Sequence, residues 1–416
     1  MREINKTVLD NGLTVVIDKE SDAKTVTLKY VIAAGSFDEN EHNAGCAHFV
    51  EHMLFKGTRN RTFNDINVDI AAIGGVTNAA TSQSSTEFYI ASPADTWKEN
   101  LHILSDMIWN SILPEEEFKK EKTVIIEELK MYEDSPEDKC VEQIDIMINE
   151  NNVSRQRVGG TVESVRNLTV DDLREFMNTF YIPNNMCLIA SGNIPSDEFL
   201  EEVIDLTWDK KQEVIPERGN IYNNEIMDNQ MSVIYRDDIS QAHYTFAVKG
   251  VPPYDQLFDV ESLIVVLLGK GFIARLYNII REQLGLAYTV TAYAVTVRDA
   301  SYIEGYCALS PENIEKVHSV VSKELNRLKY ELVPEDELDT VKAYIKGSIL
   351  LSLETTSSKT SLHADNFIYN TNNTIESLLE NLQNITPDDI KEFAQKFFKK
   401  QNICYSVVTP HRYGKE

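Results

Sequence analysis

The chain is poor in what would mark it as a disulfide-stapled, membrane-spanning or nucleic-acid-binding protein. It has five cysteines in 416 residues, Cys46, Cys140, Cys187, Cys307 and Cys404. The number is odd, the spacing is wide and no CxxC pair occurs, so no disulfide framework organises the fold. Small buried hydrophobes are their default role. No run approaches the roughly 20 apolar residues of a membrane span. The N-terminus, MREINKTVLDNGLTVV, enters a strand pattern directly, with no apolar signal-peptide core and no Arg-rich amphipathic segment. The expected location is therefore cytoplasmic, and a mature organellar chain would read the same way. Basic residues are scarce as well: 40 Lys and Arg face 66 Asp and Glu, giving a formal charge of −26. That balance argues against a nucleic-acid partner and suits basic peptides, although solubility explains most of it.

What is present is a soluble composition, 42% hydrophobic and 25% charged, in a chain long enough for two domains of about 200 residues. The stretch that organises it is NAGCAHFVEHMLFKGT, from Asn43 to Thr58. A helix over 44–56, stopped by Gly57, puts Cys46, Phe49, Val50, Met53 and Leu54 on one stripe. His48, Glu51 and His52 fall on the opposite stripe. The two histidines are four apart, so their rings lie one turn above the other and can share an ion. Glu51 sits beside His52, placed to handle a water without ligating. The order H-x-x-E-H is that of the inverted zincins. The same face would also serve as a solvated surface, and a zinc site needs a third protein ligand.

The rest of the chain reads as α+β. A hairpin spans 7–18 around the Asp10-Asn11-Gly12 turn, and a strand follows over 25–35. A short helix over 64–73 is broken by Gly74-Gly75, and 78–91 alternates like a strand pair. Helices are expected over 95–109 and 115–132, the second opened by Pro114 and stopped by the DSPED run. In that helix Phe118, Ile125, Leu129 and Tyr132 form a core stripe, and Glu121 and Glu128, seven apart, share another face. A helix over 169–181 opens on Thr-x-Asp-Asp, and 185–194 is a strand. The polar segment 210–224 marks the domain boundary, dividing an N-terminal domain 1–213 and a linker 214–224 from a C-terminal domain 225–416.

The pattern then recurs. LTVDDLREFMNTFYIPNNMC, from Leu168, returns as ITPDDIKEFAQKFFKKQNIC, from Ile385, at a constant offset of 217. Asp171, Asp172, Phe176, Phe180, Asn185 and Cys187 match Asp388, Asp389, Phe393, Phe397, Asn402 and Cys404. The expected architecture is an internal duplication: two homologous domains, each an antiparallel-rich sheet packed with helices. The same offset carries His48, Glu51 and His52 onto Val265, Leu268 and Gly269, so only the first copy keeps the polar motif.

Taken together, HFVEHMLFKGT, GGVTNAATSQSSTEFYI and EKTVIIEELKMYEDSPED resemble the pitrilysin, or insulinase-type, zinc peptidases. The similarity extends to LDNGLTVV, GTVESVRNLTVDDLREF and RLYNIIREQLGLAYTV. Within that family the chain is most similar to the bacterial processing-protease-like branch related to the mitochondrial processing peptidase β subunit. The resemblance implies one zinc ion per chain, held by His48, His52 and a glutamate about 76 residues beyond His52, which is Glu128. Glu127 is adjacent, but helical geometry turns it about 100° away. Glu121 matches a second family glutamate that acts near the metal or its water. Glu51 is implied as general base. Arg281 and Tyr288, seven apart in REQLGLAY, resemble a substrate-facing arginine-tyrosine pair, with Tyr288 as an oxyanion donor. Asn78 and Ala79 lie in a segment resembling the family's substrate-lining edge strand; a turn-forming asparagine is the rival role for Asn78.

Two stretches depart from the family pattern. LGKGFIARL replaces a glycine-rich LGGGMSSRL segment, making Phe272, Ile273 and Ala274 bulkier or more apolar. MINENNVSRQRVGG lacks the usual His-Pro-Leu-Gly. The expectation is a zinc endopeptidase for peptides or unfolded chains, enclosed in a chamber, acting as a homodimer with Arg281 and Tyr288 working in trans. The competing expectation is a non-catalytic peptide-binding or scaffold subunit.

Overall fold

Alternating apolar residues become strands, and the strands sort into two sheets. The structure, a computed structural model, describes residues 2–148, 157–218 and 231–410. The first sheet contains β1 (Arg2–Val8), β2 (Thr14–Glu20), β3 (Thr25–Ile32), β4 (Val76–Thr81), β5 (Thr86–Pro93) and β6 (Met186–Gly192). Their order is β1-β2-β6-β3-β5-β4, antiparallel except where β2 meets β6. The second contains β7 (Met231–Tyr235), β8 (Ala242–Lys249), β9 (Ala287–Val297), β10 (Ala300–Leu309) and β11 (Ile403–Thr409). Its order is β7-β11-β8-β10-β9, antiparallel except where β7 meets β11. With β1 set aside, the two sheets have the same order and the same strand directions.

The helices repeat in the same way. The first copy has α1 (Cys46–Leu54), α2 (Phe63–Ala72), α3 (Trp97–Asn110), α4 (Glu115–Asp134), α5 (Pro136–Ile148), α6 (Val162–Asn167), α7 (Val170–Phe180) and α8 (Ser196–Thr207). The second has α9 (Phe258–Gly269), α10 (Ile314–Tyr330), α11 (Glu335–Ser352), α12 (Thr356–Ile368), α13 (Ile375–Asn384) and α14 (Pro387–Phe397). Thr169 caps α7 in a reciprocal box with Asp172, and Thr386 caps α14 in the same box with Asp389. The Asn185 amide donates to the carbonyl of Phe180 at 2.9 Å, and that of Asn402 to the carbonyl of Phe397 at 3.0 Å. Lys122 on α4 donates to the carbonyls of Arg166 and Leu168 at 3.0 and 2.6 Å. Lys342 on α11 donates to those of Gln383 and Ile385 at 2.8 and 2.6 Å. Identical hydrogen bonds at equivalent places show the duplication at the level of single donors and acceptors.

The chain forms two compact units, and neither is continuous in sequence. One is Met1–Lys130, Gln156–Gly219 and Ser352–Thr371; the other is Met131–Arg155, Asn220–Leu351 and Asn372–Glu416. The single cut expected at 210–224 leaves out two helices. α4 ends at Asp134 and α5 resumes at Pro136, so DSPED is a one-residue break, and α5 joins the second unit. There Cys140 of α5 sits 3.3 Å from the Ser406 carbonyl of β11. α12 joins the first unit, where Thr356 meets Thr27 of β3 at 2.8 Å and His363 meets Asp18 of β2 at 3.0 Å. Tyr132, expected in the α4 core stripe, is 39% exposed because the last turn of that helix leaves the first unit. Residues 149–156 and 219–230, which include much of MINENNVSRQRVGG and of the expected linker, lie outside the described residues.

The paired capping boxes make a matched test. Thr169→Ala and Thr386→Ala should each lower stability by about 1 kcal/mol, read as a fall in urea midpoint. A much larger loss at one site than at the other would mean that the two caps are not equivalent.

Candidate metal centre

The motif helix is fixed before its polar face is considered. All of its apolar stripe is buried: Cys46, Phe49, Val50, Met53 and Leu54 have no exposed surface. The helix is shorter than the 44–56 expected. Gly45, at φ +90°, takes the N-cap, and the last turn closes at Phe55 ahead of Gly57. Gly45 is required there. Beyond its left-handed backbone, a Cβ would stand 2.6 Å from the Gly159 carbonyl. Two of the N–H groups at the helix start are satisfied by Glu39, whose carboxylate accepts from Gly45 at 2.8 Å and from Ala47 at 2.7 Å, and the Cys46 N–H donates to the Asn43 carbonyl at 3.0 Å. Burial pushes the Glu39 carboxyl up to about 8, against those backbone bonds, which favour the anion. Sequence reasoning passed over Glu39. An acid six to eight residues ahead of a helix is a weak signal, because nothing in the sequence shows the loop folding back.

On the opposite face the polar residues converge with α4. Ligand atoms of His48, His52 and Glu128 all lie within 4.8 Å of one another. The His48 Nε2 is 3.9 Å from one Glu128 oxygen, and the His52 Nε2 is 3.6 Å from the other. Two ligands each about 2.1 Å from a tetrahedral ion stand roughly 3.4 Å apart, so little movement is needed to close on a cation. Glu127, the neighbour that competed for this place, is instead exposed and paired with Lys130 at 2.7 Å.

The protonation states also suit a metal. Burial holds the His48 imidazole down to about 4, with His52 beside it adding to the effect, so it is neutral at pH 7 as a ligand must be. Among the described residues, the buried Nδ1 of His48 has no hydrogen-bond partner. Gly159 lies against it, where a Cβ would approach Nδ1 to 3.4 Å and Leu129 to 3.0 Å. The His52 Nδ1 lies 3.2 Å from Glu121 Oε2. A carboxylate only accepts, so it draws the ring proton to Nδ1 and leaves the Nε2 lone pair facing Glu128. Glu121 is buried, and Lys56 salt-bridges it at 2.7 Å. The donor set, the neutral ring and the oriented tautomer fit a divalent cation.

Glu51 stands next to this cluster. Thr81 on β4 donates to its Oε2 at 2.6 Å. Burial raises the Glu51 carboxyl above its ordinary range, and the Thr81 bond opposes that rise. Thr81 was not singled out in the sequence; only the contact between β4 and α1 reveals it. Asn78 and Ala79 lie three and two residues before it, on the terminal strand of the first sheet, paired with Tyr89 and Phe88. Arg281 and Tyr288 lie in the second unit. There the guanidinium carbon is 4.5 Å from the Tyr288 ring centre.

Comparison with known proteins agrees with this fold. A family model described as insulinase, peptidase family M16, matches residues 14–161, and one described as the peptidase M16 inactive domain matches 167–345. A Bacillus subtilis protein named an uncharacterized zinc protease is 28% identical over 409 residues, covering 98% of each chain. The fold is similar to that of a protease from Helicobacter pylori, with a TM-score of 0.91, 21% identity and coverage of 98% of this chain and 100% of that one. It is equally similar to a crystal structure from Pseudomonas fluorescens titled peptidase M16 inactive domain, with a TM-score of 0.91, 16% identity and coverage of 99% and 100%. The chain belongs to the insulinase family, peptidase family M16. Of the two family models, the one described as inactive falls on residues 167–345, which lack H-x-x-E-H. Among the described residues, no helix is long and apolar enough to cross a membrane.

Removing Glu121 while keeping the three ligands isolates its contribution. Glu121→Ala should weaken zinc binding roughly 10- to 100-fold, and Glu127→Gln should leave it unchanged, measured by competition with a chromogenic chelator. Equal effects would remove the distinction between the two glutamates.

Proposed function

We propose that this chain is a zinc-dependent endopeptidase acting on peptides or unfolded polypeptides. The observation that carries the reading is the convergence of His48, His52 and Glu128 within 4.8 Å, with Glu51 beside them. His48, His52 and Glu128 would hold one zinc ion per chain. Bound there, zinc supplies a water of pKa around 7 and polarises a carbonyl oxygen. Mn²⁺ or Co²⁺ suits the same donors.

The remaining steps belong to side chains. Glu51 takes a proton from the attacking water and returns it to the leaving amine. Its raised carboxyl suits that exchange, and Thr81 keeps one oxygen engaged so that the other faces the reaction. Glu121 holds His52 in the ligating tautomer. β4 is the last strand of its sheet among the described residues, and an extended substrate would pair along its edge beside Asn78 and Ala79 by backbone hydrogen bonds. Such pairing reads little sequence, which suits unfolded chains. Tyr288 is assigned as donor to the developing oxyanion and Arg281 as a substrate-orienting cation. A homodimer is the expected assembly, with those two residues acting in trans.

The competing role, a peptide-binding or scaffold subunit without catalysis, makes the opposite prediction in each test. Chelation should abolish cleavage of an unfolded protein, and added zinc should restore it. Glu51→Gln should keep the metal and lose about 10²- to 10⁴-fold in kcat/KM. No cleavage by the zinc-loaded chain would favour the scaffold. Thr81→Val removes a bond that lowers the Glu51 pKa, so that pKa should rise. Because Glu51 must be ionised to accept a proton, the acidic limb of the kcat/KM profile should move to higher pH. Mixing Glu51→Gln with Tyr288→Phe chains should recover activity above either parent; no recovery rejects action in trans.

A further inference from the structure

The two copies differ in charge at one buried place beneath their exchanged helices. In the first unit Val31 of β3 pairs with Glu87 of β5 on one side and with Cys187 of β6 on the other. In the second unit Ala247 of β8 pairs with Glu304 of β10 and with Cys404 of β11. Cys187 and Cys404 match at the 217-residue offset, so Glu304 takes the place of Glu87. Two residues before Val31 and Ala247, on the same face of each sheet, Thr245 takes the place of Lys29. α12 and α5 are both 13 residues long, and laid end to end they match Asp365 with Asp145. The first copy therefore has Lys29, Glu87 and Asp365, where the second has Thr245, Glu304 and Asp145.

In the first copy the lysine serves both acids. Its ammonium is 2.7 Å from Glu87 Oε2 and 3.4 Å from Ser361 Oγ of α12, and its charge opposes the rise that burial imposes on the Asp365 carboxyl. In the second copy both acids are kept and the lysine is replaced. Tyr293 donates to Glu304 Oε1, and Tyr302 donates to Asp145 Oδ1. Glu304 has no exposed surface, and its other oxygen, Oε2, has no hydrogen-bond partner. Thr245 Oγ1 is also buried, with no oxygen or nitrogen partner. Among the described residues, no lysine, arginine or histidine acts on either acid. Burial pushes the Glu304 carboxyl up to about 8, with the Asp145 charge adding to the rise, and pushes Asp145 up to about 6.

Two carboxylates buried near one another are costly without a positive charge to share. A buried carboxylate oxygen with no hydrogen bond calls for an ion or a water. A hydroxyl brings lone pairs where an ammonium brought only donors, so the replacement turns this place into a set of acceptors. All of them are oxygens, the ligands of hard cations. We infer that an inorganic cation, held by Glu304, Asp145 and Thr245, takes in the second unit the place of the Lys29 ammonium. It fastens α5 to the second sheet as Lys29 fastens α12 to the first. Potassium and sodium match the single charge of the ammonium, and calcium and magnesium match the two carboxylates. The inference concerns the half without H-x-x-E-H and does not rest on the peptidase reading.

The test is thermal unfolding of the full-length, zinc-loaded chain at constant ionic strength. N-methyl-D-glucamine, too large to be buried there, is exchanged for potassium, sodium, calcium or magnesium as the chloride. At least one of the four should raise the unfolding midpoint saturably. Past half saturation, each tenfold rise in that ion should raise the folding constant about tenfold. The ion that does so fixes the charge of the occupant. Thr245→Lys carries the ammonium within the chain, as the first copy does, and should abolish the dependence. Glu304→Gln should abolish it too, and it discounts ions gathered by the acidic surface. Absence of an ion-specific shift in the unsubstituted chain overturns the site. So does a shift that survives in either variant, and Glu304→Gln decides alone if Thr245→Lys does not fold. Stability lost as pH rises through about 6 and about 8, and restored by no ion, would mean that protons neutralise the acids, which also overturns it.

Discussion

The geometry of the candidate metal centre depends on one stacked contact, Phe49 of α1 on Phe118 of α4, with ring centres 4.5 Å apart and planes 8° from parallel. The two phenyl groups set the distance between the helices on the apolar side, and His48, His52, Glu121 and Glu128 meet on the polar side. Each buried phenyl contributes about 1.5–3 kcal/mol from burial, so the spacing is held by packing whether or not an ion is bound. The histidines then need no help from the metal to find the glutamates. Preorganisation of this kind separates a ligand cluster from an ordinary acidic surface, where the same residue types would be solvated and free to turn away.

The second copy shows what remains when the chemistry is absent. α9 takes the place of α1, and its run from Leu263 to Gly269 is buried. Val265, Leu268 and Gly269 stand where the offset would carry His48, Glu51 and His52. Gly269 sits so close to β9 that a Cβ would come within 2.4 Å of Ala292. Strand and helix close on each other at that point. The same topology is kept there around an apolar core.

Much of this was legible from the residues. The three-and-four spacing placed the buried stripe of α1, and the Thr-x-Asp-Asp pattern located the caps of α7 and α14, because both are local effects of helix geometry. The 217-residue offset revealed the duplication because capping residues and core phenylalanines have few substitutes. What was not legible came from contacts distant in sequence. Thr81 reaches Glu51 across 30 positions, and Glu39 folds back onto the helix it caps. No periodicity marks either. Tyr132 was misread for a related reason: its stripe is correct, but the helix outruns the core it was counted into. Choosing Glu128 over Glu127 needed the resemblance, since both sit in the same acidic helix.

The exchange of α5 and α12 carries an evolutionary consequence. Each follows the equivalent long helix, α4 or α11, yet each covers the sheet of the opposite repeat. A single ancestral repeat would have had a bare sheet and a spare helix. Two copies trading that helix would have satisfied each other before any gene fusion, as domain-swapped partners do. On this view fusion did not join two independent proteins. Fusion would then make permanent a mutual dependence between the two repeats.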